Sequence, residues 1–96
     1  MSGGAAPAGA YARSVALTDP EGLHARPAAE LAKLAQALPA RATANGADAR
    51  SILALMSLGL AHGATLEIAA SDDEAGRTTV DALAQLVLSE FARSDA

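Results

Sequence analysis

Cysteine is absent from the 96-residue chain. Without thiols, disulfides, thiolate nucleophiles, zinc fingers and iron–sulfur ligation are excluded. The absence also fits a reducing compartment. Two histidines, His24 and His62, are too few for an all-histidine metal site, and no metal or cofactor is expected. Aromatic residues make up 2% of the chain, Tyr11 and Phe91. Recognition of nucleic acid by base stacking needs aromatic platforms that are missing here. Positive charge is scarce too: seven Lys and Arg stand against eleven Asp and Glu, for a net charge of −4. That balance disfavours DNA or an anionic membrane surface as a partner. The longest apolar stretch, Ile52 to Ala61, falls far short of the roughly 20 residues that cross a bilayer. The first residues have neither the early basic charge nor the long apolar core of a signal peptide, so a cytoplasmic location is expected.

What is present is enough for one domain and no more. Hydrophobic residues make up 51% and charged residues 19%, a balance that supports a packed core. Alanine supplies 27 positions and buries little area, so the core leans on thirteen leucines with a few Val, Ile and Met.

The order of elements can be read along the chain. Residues 1–10 are Gly, Ala, Pro and Ser after Met1, the composition of a mobile tail. Tyr11 to Leu17 alternates, which predicts a strand with Val15 and Leu17 inward. Thr18-Asp19-Pro20-Glu21-Gly22 is a loop. Leu31, Leu34, Ala35 and Leu38 follow helical spacing over Ala25 to Leu38, with Pro27 in the first turn and Pro39 beyond the end. Asn45-Gly46 marks a hairpin between Ala40–Ala44 and Ala47–Arg50, although alanine-rich arms have poor strand preference. Ser51 is placed to cap a short helix, Ile52 to Leu58, ended by Gly59. A strand follows over Ala64 to Ala70, with Leu66 and Ile68 inward. Ser71-Asp72-Asp73-Glu74 starts a last helix, whose Val80, Leu83, Ala84, Val87 and Phe91 keep helical spacing to about Arg93. The predicted fold is α+β, in the order β-α-β-β-α-β-α: one antiparallel-rich sheet with helices packed on one face.

The segment Gly22-Leu23-His24-Ala25-Arg26-Pro27-Ala28-Ala29 carries the chemistry. His24 stands at the start of the best-patterned helix, beside backbone N–H groups of Ala25, Arg26 and Ala28 that are expected to lack partners; Pro27 has none. The positive end of the helix disfavours an imidazolium and welcomes an anion. Arg26 adds a fork of donors suited to phosphate oxygens. These properties suit a neutral nucleophile that becomes a phosphohistidine. No Gly-rich nucleotide loop and no metal-binding carboxylate set accompany them, so such a site would receive a phosphoryl group and pass it on without binding ATP. The bland alternative is a histidine that merely begins a core helix, with Arg26 solvated.

The stretch GLHARPAAELAKLA resembles the active-site segment of the HPr family, the histidine-containing phosphocarriers of the bacterial sugar phosphotransferase system. Arg50-Ser51-Ile52-Leu53-Ala54-Leu55-Met56-Ser57-Leu58-Gly59 is similar to that family's regulatory-serine segment and following helix. Gly63 to Ala70 is similar to its last strand. The resemblance runs from about Tyr11 to Phe91 and implies an open-faced β-sandwich with four strands and three helices. It implies that His24 is phosphorylated on Nδ1 by enzyme I, with phosphoenolpyruvate as ultimate donor, and passes the group to a histidine of an enzyme IIA domain. It implies that Arg26 assists transfer and that Ser51 is the target of a serine kinase, with a matching phosphorylase, in some bacteria. Ile52, Leu53 and Met56 match an exposed apolar patch that docks partners. On this reading the chain is a carrier, not a free-standing enzyme, and a monomer.

Two departures stand out. The stretch from His24 to Ser51 is about four residues shorter than the family pattern, and the loss falls on the Asn45-Gly46 hairpin. Removing two residues from each arm preserves side-chain alternation. The ten-residue tail is extra. The shortened hairpin keeps a second pathway open, the phosphotransfer subunit of a dihydroxyacetone kinase or a nitrogen-related relay. A regulatory binding module acting through the serine alone is a third reading, and His24 with Arg26 counts against it. Ser51 has a plain structural role as a cap, and Ile52, Leu53 and Met56 have one as core. His62 reads as a solvated turn residue. Asp72, Asp73 and Glu74 read as helix-dipole matching and not as a Ca²⁺ loop.

Overall fold

The computed structural model describes residues 9–91. Four strands and three helices follow in the expected order: β1 (Ala10–Ala16), α1 (Ala25–Ala37), β2 (Thr43–Ala44), β3 (Ala47–Asp48), α2 (Ile52–Met56), β4 (Thr65–Ser71) and α3 (Glu74–Leu86), then a π-helical turn over Val87–Phe91. Residues 1–8 of the expected tail lie outside the described residues. Its end is corrected, because Ala10 already pairs with Ser71 in the sheet. The expected placement of the Phe91 side chain and of Arg93 also lies outside the description.

The strands form one sheet in the order β1-β4-β2-β3, every neighbour antiparallel. Seven residue pairs join β1 to β4, with Val15 opposite Leu66. Alternation therefore puts Val15, Leu17, Leu66 and Ile68 on the same inner face, and all four are buried. Leu17 extends the pairing: its N–H donates to Ala64 and its carbonyl accepts from Gly63. The helices close over that face. Leu31, Ala32 and Ala35 of α1, Leu55 of α2, and Val80, Leu83 and Ala84 of α3 share one core with the strands.

Several element boundaries differ from expectation. The hairpin forms around Asn45 and Gly46, both at positive φ (49° and 84°), the backbone that a two-residue turn with native twist requires. Its arms are two residues each instead of four or five. A further bond, Ala49 N–H to the Ala42 carbonyl, prolongs the pairing. At Ala40 the chain has turned away, and its N–H donates to the buried Thr79 hydroxyl of α3. The last strand runs one residue later than predicted, Thr65–Ser71. Helix α2 stops at Met56, two residues early: the last turn tightens, with Leu58 N–H bonding to Leu55 and Gly59 N–H to Met56. Regular helix in α3 ends at Leu86, where the backbone widens into the π turn.

Candidate functional site

The approach to α1 is built by a tight turn. Gly22 N–H donates to the Asp19 carbonyl at 2.9 Å, and Glu21 N–H donates to Asp19 Oδ1 at 2.9 Å. Pro20 presets the second position of that turn. Gly22 adopts φ +66°, and a Cβ there would run into the Leu60 carbonyl oxygen and lie 2.7 Å from Ala61 Cα. Leu23, buried, then donates its N–H to the Leu60 carbonyl at 3.0 Å. The loop that follows α2 thus holds the chain at Gly22 and Leu23.

His24 comes next, as the N-cap residue of α1 with extended backbone. Its carbonyl accepts the Ala28 N–H at 3.0 Å, the first bond of the helix. That bond corrects one expectation: Ala28 N–H is not an unpaired donor, because the N-cap carbonyl already takes it. Within the helix, Ala25 and Arg26 keep the N–H groups that no preceding carbonyl reaches. The His24 side chain makes no capping hydrogen bond. The imidazole therefore begins the helix without being consumed by it.

The ring is 35% exposed and lies between two carboxylates. Nε2 is 3.7 Å from Asp19 Oδ1, and Nδ1 is 3.7 Å from Glu21 Oε1. Both distances exceed hydrogen-bond length, so the contacts are electrostatic. Sequence reasoning missed this pair. The available signals were the i, i+3 spacing of Glu21 and His24 and the tendency of Asp-Pro-Glu-Gly to fold back on itself. Arg26 is exposed, and among the described residues its guanidinium has no hydrogen bond or ion pair. Ring, guanidinium and two backbone donors thus stand at one helix end, with the exposed Glu21 carboxylate over Nδ1.

Ser51 is the N-cap of α2. Its Oγ accepts the Ala54 N–H at 3.1 Å, its carbonyl accepts the Leu55 N–H, and its own N–H donates to Asp48. Beyond it, Leu55 is buried while Ile52, Leu53 and Met56 face outward, Leu53 at 79% exposure. Since α2 packs on α1, this apolar surface stands beside the helix that His24 begins. His62 is exposed in its turn. Asp73 caps α3 by accepting the Gly76 N–H at 2.8 Å, and Asp72 takes Arg77 Nε at 2.8 Å, so the acidic run serves the helix start. Among the described residues no group of His, Asp and Glu is arranged to hold a metal ion. No helix among them is long and apolar enough to cross a membrane.

The chain matches the family model described as "PTS HPr component phosphorylation site" over residues 11–89. The phosphocarrier protein HPr of Vibrio cholerae is 41% identical over 69 residues, covering 68% of this chain and 81% of that protein. Among solved structures, a Mycoplasma histidine-containing phosphocarrier protein superposes with a TM-score of 0.71 at 30% identity, covering 82% of this chain and 93% of its own. Phosphocarrier protein HPr from Bacillus anthracis gives 0.66 at 29% identity, covering 79% and 94%. HPr from Thermoanaerobacter tengcongensis gives 0.72 at 27% identity, covering 88% and 98%. With the fold, the family model and these relatives in agreement, the chain belongs to the HPr family, the phosphocarrier proteins of the phosphotransferase system, which carry a phosphoryl group and are not themselves enzymes.

Proposed function

We propose that His24 is the phosphoryl acceptor, taking the group on Nδ1 from enzyme I and giving it to an enzyme IIA domain during sugar uptake. The observation that carries this reading is the half-exposed imidazole at the start of α1, whose side chain caps nothing. A neutral imidazole nitrogen attacks phosphorus, and the product places a dianion at a helix N-terminus, where backbone donors and the dipole favour it. Ala25 and Arg26 supply the unpaired N–H groups. The Arg26 guanidinium neutralises the phosphoryl oxygens as they arrive and releases them on departure, since it is tied to no other group among the described residues. Ile52, Leu53 and Met56 provide the apolar part of a small, transient docking face. Ser51 is the target of a regulatory kinase, whose phosphate would meet the α2 amides and sit beside that face. The protein works in the cytoplasm as a monomer.

Incubation with enzyme I and phosphoenolpyruvate tests the reading. Intact-mass measurement is expected to show an acid-labile, base-stable gain of about 80 Da, the mass of one phosphoryl group, that His24→Ala loses. Arg26→Ala slows the gain while the melting temperature stays put, because its side chain is exposed. An unmodified wild-type protein overturns the carrier role of His24.

A further inference from the structure

The two carboxylates at the ring are not equivalent. Asp19 Oδ1 is held by the Glu21 N–H inside a turn that the Gly22 N–H also closes, and its side chain is 26% exposed. Glu21 stands at 75% exposure, on a longer side chain with no hydrogen bond to fix it among the described residues. Water and salt screen an exposed charge more than a half-buried, anchored one. Holding Glu21 against Nδ1 also costs rotamer entropy that the pinned Asp19 has already given up. Of the two, Asp19 is the fixed field at the imidazole.

Resting on the reading of His24 as phosphoryl acceptor, we propose that Asp19 is its positioning residue: the anchored Asp19 carboxylate keeps the ring proton on Nε2 and leaves the lone pair on Nδ1. The ring nitrogen that faces the firmer acceptor carries the proton, and the other keeps the lone pair. Asp19 faces Nε2 at 3.7 Å. The Nδ1 lone pair then forms the N–P bond as the bond from phosphorus to the donor breaks, its electron pair leaving with the donor. No proton leaves the ring, so Nε2–H stays and the imidazole gains positive charge directly opposite the Asp19 carboxylate. Asp19 thereby stabilises the charge that develops during transfer, without touching phosphorus. Glu21, facing Nδ1, is the carboxylate that has to swing away as the phosphoryl group arrives.

Asp19→Asn isolates the charge, because the amide oxygen still accepts the Glu21 N–H and preserves the turn. Two readouts are taken on the full chain: ¹⁵N chemical shifts of the His24 ring in mildly alkaline buffer, and the rate of phosphorylation by phosphoramidate, whose nitrogen leaves as ammonia and which requires no enzyme I. The wild type is expected to hold the proton on Nε2. In Asp19→Asn the Nδ1 shift moves toward the protonated value, and phosphorylation slows by roughly three- to tenfold, the scale of one partly screened charge at this distance. Glu21→Gln leaves the proton on Nε2. A wild-type ring protonated on Nδ1 overturns the proposal even if the variant misfolds. So does a well-folded Asp19→Asn with either readout unchanged. If enzyme I fails to modify the wild type while the ring shifts and the phosphoramidate rate both respond to Asp19→Asn, the carrier role is lost and the role of Asp19 in setting ring reactivity stands.

Discussion

At the scale of single residues, the proposed regulation would give one atom of Ser51 two purposes. Its Oγ accepts the Ala54 N–H and caps α2. A phosphate on that oxygen would replace a hydroxyl cap with a dianion at the same amides, next to the exposed Leu53. Loss of the cap and gain of charge are separable by substitution. Ser51→Ala removes the acceptor and is expected to cost about 1 kcal/mol in chemical denaturation. Ser51→Asp keeps a capping oxygen, so its stability stays near wild type, while its charge weakens enzyme I binding in calorimetry. Equal affinities for wild type and Ser51→Asp would count against a regulatory role. Sequence alone placed His24, Arg26 and Ser51 at helix starts, because the helical pattern, the cap and the proline are local. Asp19 and Glu21 escaped notice because their approach to the ring depends on how residues 19–22 turn, a geometry fixed from outside by Leu60 and Ala61.

At the scale of elements, that turn shapes the site, and Gly22 is its hinge point. Two demands meet there: a positive φ that L side chains resist, and a backbone contact with the Leu60–Ala61 loop that leaves no room for Cβ. Gly22→Ala has to shift one loop or the other. The expected loss is more than about 2 kcal/mol, since left-handed strain alone costs on the order of 1–2 kcal/mol and the clash adds to it. It should appear as a lower denaturation midpoint with the His24 ring resonances displaced; a variant with wild-type midpoint and ring shifts would mean the two loops are free to separate. The hairpin teaches the complementary lesson. Asn45-Gly46 announced the turn correctly, because the requirement for positive φ is local. The start of the first arm was not legible, because Thr79, far along the chain, takes the Ala40 N–H out of the ladder. The π turn after Leu86 has no local signal either: Val87 keeps the helical spacing and is buried, so the apolar pattern reads straight through it.

At the scale of the whole molecule, a core rich in alanine lets helices and sheet approach closely, with little area buried per residue. Ties between layers therefore matter more than in a leucine-filled core. One such tie is polar and exposed: Tyr11 of β1 donates its hydroxyl to Asp81 of α3 at 2.7 Å, and Arg13 reaches the same oxygen at 3.2 Å. The hydrogen bond from Tyr11, and after it that from Arg13, lowers the Asp81 pKa; acceptance by Asp81 raises that of Tyr11. The depressed carboxyl contributes stability that is fully present above its unfolded value of about 3.9 and is lost as pH falls through the folded value. The raised phenol contributes stability that is fully present below its unfolded value of about 10 and is lost as pH rises through the folded value. Tyr11→Phe removes the shared bond and leaves Arg13 with Asp81. The melting temperature of Tyr11→Phe should therefore lie below wild type by a constant margin between about pH 5 and 9. The margin should narrow in alkali, where the wild-type phenol ionises, and less completely in acid, where Arg13 still favours the Asp81 carboxylate in both proteins. A margin that holds its width beyond pH 11 would show that the loss in Tyr11→Phe does not come from the hydrogen bond between the phenol and Asp81.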